Sequence, residues 1–269
     1  MDDLDHNVMA AEHHSGYSVK LVQYCETILP KLSDQIVTCT YCLKQIYVNM
    51  GFNEEKITWL PNGVKLSDFN TQPGELLKEK FGLKSKVIVY LGSLNNQAQL
   101  YPLIKAMELI IKEETDVSLM IIGDGMAKEF FEELTRNLQL TDCIKFVGRI
   151  PYNQVSSYLS MADIAFACFP SPLTGASGAL KVFIYMAAGL PVVVNPAGDL
   201  PYYIDNGKAG AISTLDAPSL SNALLKLLKD DKERRSKGCY ARNYVQRNFD
   251  WVVLTKKLVS VYKNVLDQN

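Results

Sequence analysis

The residue that most suggests chemistry is Lys181, the only charged side chain between Ala179 and Val194 in the segment ALKVFIYMAAGLPVVV. The small residues before it place Ser177 or Gly178 near the start of a helix, and free N–H groups at a helix N-terminus attract anions. We therefore expect the Lys181 ammonium to complement an anion bound there. The alternative is that the aliphatic part of the Lys181 side chain lies along a packed helix and its ammonium reaches solvent.

A glycine-flanked aspartate, Asp124, follows an apolar run in IIGDGM and could line a ligand crevice. Glycines on both sides would let the backbone approach a ligand closely. The simpler expectation, which we favour, is that Asp124 caps the following helix, because aspartate is among the preferred N-cap residues.

Catalytic bases and metal ligands are scarce in this sequence. All three histidines lie within the first 14 residues, so the rest of the chain offers no imidazole as a general base, and we leave the catalytic residues unassigned. Cys39 and Cys42 form one Cys-x-x-Cys pair, which could hold zinc together with Cys25 and a histidine. A second pair at metal-ligand spacing is missing, so we expect no metal and six reduced cysteines mostly packed in the core.

The composition excludes several classes of protein. With 48% hydrophobic residues among 269, the chain can build a substantial core, and a net charge of −1 argues against nucleic acid as a partner. The longest apolar stretch, Val182 to Val194, has 13 residues and is interrupted by Gly189 and Pro191, whereas a membrane span needs about 20. The N-terminus MDDLDHNVMA is acidic and does not resemble a signal peptide, so we expect a cytoplasmic protein.

Apolar runs alternate with helical patterns from Lys86 onward, which predicts an α/β fold with a doubly wound, Rossmann-like parallel sheet. The strand candidates are KVIVYLG, VSLMIIG, CIKFVG, DIAFACF, PVVVN and a weaker GAIS. Such sheets bind ligands at the carboxyl ends of their strands. We therefore expect the functional site among the loops that follow Leu91, Ile122, Val147, Phe169 and Val194.

The first 85 residues offer too little to form a second sheet of this kind. They contain two strand candidates, DQIVTCT and ITWLPN, and then a polar connector from Ser67 to Ser85. Two strands are marginal on their own, so this part is predicted to be an incomplete α/β domain. We divide the chain into that N-terminal domain at 1–70, a Rossmann-like domain at 71–247 and a final helix at 248–269.

Six segments in a fixed order make the chain similar to a known family: ITWLPNGV, VIVYLGS, IIGDGMAKE, IKFVGRIP, MADIAFACFPS and YMAAGLPVVV. They resemble the C-terminal half of GT-B glycosyltransferases of the family-4 type. The resemblance implies a retaining hexosyl transfer from a nucleotide-sugar co-substrate without a metal cofactor. It also implies a last helix that crosses back to an acceptor-binding N-terminal domain, of which this chain holds only part. A second chain that completes that domain is therefore a candidate partner.

Several charged residues of the family's donor site are replaced in this sequence. The family's arginine and lysine after the first strand, which hold the donor diphosphate, fall at Ser93 and Ala98. Its two glutamates fall at Ala176 and Ile184, and a further acidic position falls at Tyr202. The resemblance therefore implies a degenerate donor site.

The resemblance also assigns residues to the two sides of the donor site. The resemblance places the nucleobase beside Arg149 and Ile150, where Arg149 either stacks on the base or covers the rim of the site. It places the donor diphosphate at Gly92, Ser93, Ser177, Gly178 and Lys181.

Two functions follow from these features. The first is a glycosyltransferase with a weakened donor site, and the alternative is a non-catalytic relative kept as a binding or partner subunit. Between Leu224 and Arg247 the chain has eight basic and three acidic residues. This segment could contact an anionic membrane peripherally, but we prefer a solvated helical face over a buried leucine row.

Overall fold

The N-terminal part of the structure is a small α/β unit. The computed structural model describes residues 16–69, 75–169 and 179–268. In the first range, β1 and β2 form a two-stranded parallel sheet with Ile36 opposite Ile57, and the elements in order are α1 (Gly16–Thr27), β1 (Ile36–Thr38), α2 (Tyr41–Asn49) and β2 (Ile57–Trp59). A small N-terminal α/β unit with two strands, as predicted from the sequence, is therefore present.

The apolar runs after residue 85 form one six-stranded sheet in which every neighbouring pair is parallel. Its strands are β3 (Lys86–Leu91), β4 (Val117–Ile122), β5 (Ile144–Gly148), β6 (Ile164–Ala167), β7 (Val192–Val194) and β8 (Gly210–Ile212). The order across the sheet is β5-β4-β3-β6-β7-β8. This order is that of a doubly wound Rossmann-like sheet, as predicted.

Helices cover both faces of this sheet. They are α3 (Glu75–Lys80), α4 (Gln97–Glu113), α5 (Lys128–Asn137), α6 (Tyr152–Leu159), α7 (Leu180–Ala187), α8 (Leu200–Tyr203), α9 (Ala217–Lys229), α10 (Asp231–Asn248) and α11 (Trp251–Gln268). The polar connector expected from Ser67 to Ser85 is not all loop, because a short 3-10 turn (Leu66–Phe69) and α3 lie within it.

The core explains why these strands read as continuous apolar runs. Along β3, Val87 and Val89 face one hydrophobic cluster, which includes residues of α7 and α10. Ile88 and Tyr90 face a second cluster, which includes residues of α4 and α9. Because both faces of a parallel sheet are buried in this way, alternation with polar residues is not needed.

The final helix joins the two parts of the chain. Just before it, the amide of Val64 donates to the carbonyl of Phe249, and the amide of Trp251 donates back to Val64. Lys257 donates to the carbonyl of Trp59, 2.7 Å away. The large apolar side chains of the final helix are only partly buried, because Leu254 is buried whereas Trp251 and Tyr262 are exposed.

Two expectations about side-chain burial have different outcomes. The leucine row beneath the basic surface is confirmed, because Leu224, Leu225, Leu227 and Leu228 are buried. The expectation that most cysteines are packed in the core is wrong, because only two of the six are buried. Those two are Cys143 and Cys168, whereas Cys25, Cys39 and Cys239 are exposed.

Candidate functional site

The sheet creates a crevice where its strand order reverses direction. The chain proceeds from β3 outward to β4 and β5, and then returns to the other side of β3 to build β6, β7 and β8. Only Ile88 and Val89 of β3 pair with β6, opposite Ile164 and Ala165. The carboxyl ends of β3 and β6 therefore separate at the position where doubly wound sheets bind ligands.

Four predicted site residues line one cleft at this edge. Gly92 and Ser93 come from the loop after β3, whereas Arg149 and Ile150 come from the loop after β5. The cleft has a volume of about 210 Å³, and its remaining lining comes from Leu91 and from residues 122–124. The diphosphate side and the nucleobase side of the expected site thus share one surface, with the Arg149 side chain exposed at it.

Glycine is required at the floor of this cleft. A side chain at Gly123 would place its Cβ 1.8 Å from the carbonyl oxygen of Gly92. The two loops are also joined by hydrogen bonds, since the amide of Gly92 donates to Ile122 and the amide of Leu94 donates to Asp124. The backbone of the site is therefore closely packed.

Lys181 points toward this edge of the sheet and not along the helix into solvent. Its Nζ lies 3.3 Å from Tyr90 Oη and 4.5 Å from the centre of the Tyr90 ring. It also lies beside Gly92, because a Cβ added at that glycine would be 2.6 Å from Nζ. No acidic side chain within the described ranges forms an ion pair with it. Burial lowers the pKa of Lys181, and the neighbouring Cys168 opposes that shift.

One helical turn later, Tyr185 fixes the end of β3. Its hydroxyl accepts a hydrogen bond from the amide of Leu91 at 2.6 Å and lies 3.4 Å from the Leu91 carbonyl oxygen. Residues four apart lie on the same face of a helix, so α7 directs both Lys181 and Tyr185 at this strand end. Burial raises the pKa of Tyr185 well above its usual value, so the phenol stays neutral.

Three of the predicted positions cannot be compared with the structure, and one predicted role is wrong. Ser177, Gly178 and Ala176 lie outside the described residues. The capping role expected for Asp124 is wrong, because its carboxylate accepts from the adjacent amide of Gly125, and α5 starts after Ala127 with no side-chain cap.

The two positions that the resemblance assigns to the family's second glutamate and further acidic residue hold an apolar and an aromatic side chain. Ile184 is half-buried and packs against the core. Tyr202 is half-exposed, and its ring lies 5.4 Å from that of Tyr41. Ile184 therefore offers no hydrogen-bonding atom in its side chain.

Sequence reasoning missed three residues near this edge, namely Tyr90, Tyr185 and Asp199. The spacing of Tyr185 from Lys181 was a usable signal, because a helix places the two on one face. Tyr90 and Asp199 gave no such signal, because their contacts come from segments distant in the chain.

The described ranges show neither a metal-binding cluster nor a membrane span. Residues 16–69, 75–169 and 179–268 contain no group of three His, Cys, Asp or Glu side chains placed to hold a metal ion. Over the same ranges, no helix has the length and apolar character of a membrane span.

Several curated relatives of the chain are mannosyltransferases or glycosyltransferases by name. A GDP-mannose-dependent monoacylated alpha-(1-6)-phosphatidylinositol monomannoside mannosyltransferase of Corynebacterium glutamicum is 26% identical over 96% of this chain and 70% of the relative. A D-inositol 3-phosphate glycosyltransferase of Corynebacterium kroppenstedtii is 26% identical over 90% of this chain and 56% of the relative. For a third relative, N-acetyl-alpha-D-glucosaminyl L-malate synthase of Bacillus anthracis, the match spans 48% of its length.

Solved structures share the fold. Anabaena Alr3699/HepE, crystallised with UDP and glucose, has a TM-score of 0.78 at 18% identity over 98% of this chain and 70% of that one. The C-terminal domain of LpcC from Francisella tularensis has a TM-score of 0.59 at 19% identity and is covered completely by 70% of this chain.

The family itself is shown by a direct match. The family model described as glycosyl transferases group 1 matches residues 75–244, which is more than half of the chain. The match spans β3 to β8 and includes the loops that line the cleft. The chain therefore belongs to the glycosyl transferases group 1 family and has the GT-B type of fold that its sequence segments predicted.

Proposed function

We propose that this chain is the nucleotide-sugar-binding part of a retaining glycosyltransferase of the family-4 type that transfers a hexosyl group. In this proposal the acceptor oxygen bonds to the anomeric carbon while the bond from that carbon to the donor phosphate oxygen breaks. The nucleoside diphosphate leaves with both electrons of that bond, and its departing phosphate oxygen takes up the proton of the acceptor hydroxyl. Its developing negative charge is met by Lys181 and by backbone N–H groups, with no metal ion. The division of the chain at 1–70, 71–247 and 248–269 is part of the same proposal.

The observation that carries the proposal is the position of the Lys181 ammonium. It lies beside Gly92 at the strand-order reversal and has no acidic partner among the described residues. A partly buried cation is stabilised by an anion that completes its surroundings, and a diphosphate is such an anion. Arg149 is exposed on the cleft that Gly92 also lines, and we assign it to the nucleobase side.

The donor site is proposed to be weaker than that of a full family member. Ser93 lines the cleft and Ala98 is the second residue of α4, and neither supplies a charge. Each charge-assisted contact contributes about 1.5–3 kcal/mol, so the loss of two weakens donor binding by roughly two to four orders of magnitude. If that loss were complete, the chain would instead serve as a non-catalytic binding or partner subunit.

Further structure is proposed to cover the N-terminal part. The helix α1 has no buried residue, and Tyr17, Leu21 and Tyr24 on it are more than half exposed. A second polypeptide that packs on α1 would bury these side chains. It would also add strands to the two-stranded sheet of β1 and β2.

Cytoplasmic location and peripheral contact with an anionic membrane remain lesser parts of the proposal. Five of the eight basic residues between Leu224 and Arg247 are engaged within the protein, namely Lys226, Lys229, Arg234, Lys237 and Arg242. Lys232, Arg235 and Arg247 are exposed and would make any such contact.

Calorimetric titration with UDP, GDP and their sugars tests the donor site. Binding tighter than about 100 μM that is lost in Lys181→Met supports the proposal. Lys112→Met is the matched control, because Lys112 is an exposed lysine in the last turn of α4, at the opposite edge of the sheet. Binding that is equal in both variants, or no binding of any nucleotide by the unmodified chain, would contradict a working site at Lys181.

A further inference from the structure

A buried carboxylate links the two parts of the chain. Asp199 follows β7, and its side chain is fully buried. Its Oδ2 accepts a hydrogen bond from the amide of Tyr41 at 2.5 Å, and its Oδ1 accepts one from the amide of Cys42 at 3.0 Å. The hydroxyl of Tyr203 donates to Oδ2 from 3.3 Å. Three donors therefore converge on one negative charge.

Two of these donors belong to the other part of the molecule. Tyr41 and Cys42 are the first two residues of α2, in the N-terminal unit, whereas Asp199 extends from the carboxyl edge of the six-stranded sheet. The positive end of the α2 dipole therefore faces the carboxylate. The contact joins residues more than 150 positions apart.

Local capping of α2 does not account for Asp199. Thr40 is the N-cap residue of α2, and its hydroxyl accepts from the amide of Leu43 at 3.1 Å. A buried charge is costly unless its hydrogen-bonding capacity is met, and here it is met mainly by the other unit. The carboxylate is therefore suited to holding α2 in one place against the sheet.

Aromatic packing around this contact makes its geometry specific. The Tyr41 ring packs against Trp59 of β2 with 5.9 Å between ring centres, and on the other side against Tyr202 of α8 at 5.4 Å. A shift of the start of α2 away from Asp199 would disturb both ring contacts.

We propose that Asp199 is a positioning residue that fixes the N-terminal unit, the acceptor side of the proposed transferase, against the donor-binding edge of the sheet. This role rests on the proposed function, because it matters for transfer only if a donor binds at that edge. Small displacements of a bound acceptor from the reacting carbon lower transfer rates strongly, so a fixed angle between the units favours reaction.

Hydrogen exchange at single amides tests the contact directly. Asp199→Asn keeps the size of the side chain but replaces one acceptor oxygen with an NH₂ group. We expect exchange at the Tyr41 and Cys42 amides to accelerate at least tenfold. The matched control is Asp216→Asn, because Asp216 accepts from the amide of Ser219 at the start of α9, within one unit. That control should accelerate exchange at Ser219 and leave Tyr41 and Cys42 unchanged.

A second readout reports on the position of α2. The chain has two tryptophans, so Trp251→Phe leaves Trp59 as the sole indole emitter. In that background Asp199→Asn should shift the Trp59 emission as the Tyr41 ring moves, and Asp216→Asn should not. If Asp199→Asn does not fold, Asp199→Ser replaces it in both experiments, because serine is smaller and has a single acceptor oxygen. We expect the same faster exchange at Tyr41 and Cys42 and the same shift of Trp59 emission.

The outcomes separate this inference from the proposed function. Slow exchange at Tyr41 and Cys42 together with unchanged Trp59 emission in folded Asp199 variants overturns it. Fast exchange with UDP or GDP affinity within twofold of the unmodified chain supports positioning without a direct role in donor binding. Failure of the unmodified chain to bind any nucleotide overturns the proposed function, while the exchange result still decides whether Asp199 holds the two units together.

Discussion

The ammonium of Lys181 lies 3.3 Å from the hydroxyl oxygen of Tyr90 and 4.5 Å from the centre of its ring. Tyr90 offers a lone pair and the negative face of a ring, but no charge. Burial raises the pKa of Tyr90, so its phenol stays neutral and cannot act as a counter-ion. The nearby Cys168 also stays neutral, because burial raises its pKa to about 12. The cation is thus held at the end of β3 by neutral groups.

This arrangement predicts how nucleotide binding depends on pH. Because burial lowers the pKa of Lys181 below 10.5, the ammonium loses its proton at a lower pH than a free lysine does. Affinity for UDP or GDP should therefore fall as pH rises through that lowered pKa, as measured by titration from pH 6 upward. In Lys181→Met, affinity should be weak at every pH, and a pH dependence that persists in this variant would contradict the assignment.

The same pKa has a consequence for stability. In the window between the lowered pKa and 10.5, the unfolded chain holds a proton on this lysine that the folded chain has released. The contribution of Lys181 to the free energy of unfolding therefore increases with pH across this window. Urea unfolding of the unmodified chain and of Lys181→Met, compared over that range, should show this slope only in the former.

Restoring a cation at the cleft should strengthen donor binding. Ser93 is exposed and lines the cleft, so Ser93→Arg can place a guanidinium there without disturbing the core. One charge-assisted contact of about 1.5–3 kcal/mol corresponds to a gain of roughly 10- to 100-fold in affinity for UDP or GDP, measured by calorimetry. Gln97→Arg is the control, because Gln97 is exposed at the start of α4 but does not line the cleft. Equal gains in both variants would indicate a non-specific effect of charge.

Removing the hydroxyl of Tyr185 should destabilise the strand end beneath the cleft. In Tyr185→Phe the amide of Leu91 loses its 2.6 Å partner, the hydroxyl of a fully buried side chain. An unsatisfied buried N–H costs about 1–3 kcal/mol, which urea unfolding can measure. The control, Tyr262→Phe on the exposed face of α11, should change the free energy of unfolding by less than about 0.5 kcal/mol. A Tyr185→Phe protein as stable as this control would show that Leu91 finds another partner.

The six-stranded sheet was predictable because each strand is buried on both faces and reads as a continuous apolar run. The start of the helix over Ala217–Lys229 also has a local signal in the sequence, because Asp216 is its N-cap and Pro218 lies in its first turn. The site was less predictable. The direction of the Lys181 side chain depends on Gly92 and Tyr90, which lie some 90 residues earlier.

Predictions that failed did so for a common physical reason. Apolar neighbours in the sequence suggested that most cysteines are buried, yet Cys25 lies on a helix with no buried residue. The capping role of Asp124 failed because its loop turns to meet Leu94 before α5 begins. The local spacing of apolar residues predicts whether a segment is a helix or a strand. Which of its side chains are buried, and which groups they bind, depends on contacts with segments distant in the chain.

Gly123, which lines the cleft, and Gly148, which precedes the cleft residue Arg149, should respond very differently to substitution by alanine. At Gly123, φ is +145° and a Cβ would lie 1.8 Å from the Gly92 carbonyl oxygen, so Gly123→Ala must displace the backbone that contacts Lys181. At Gly148, φ is +84° but nothing lies within 4 Å of the added carbon, so only conformational strain of about 1–2 kcal/mol is expected. We expect Gly123→Ala to lower the free energy of unfolding by more than about 3 kcal/mol. Urea unfolding of both variants measures this difference, and equal losses would mean that the two loops separate without strain.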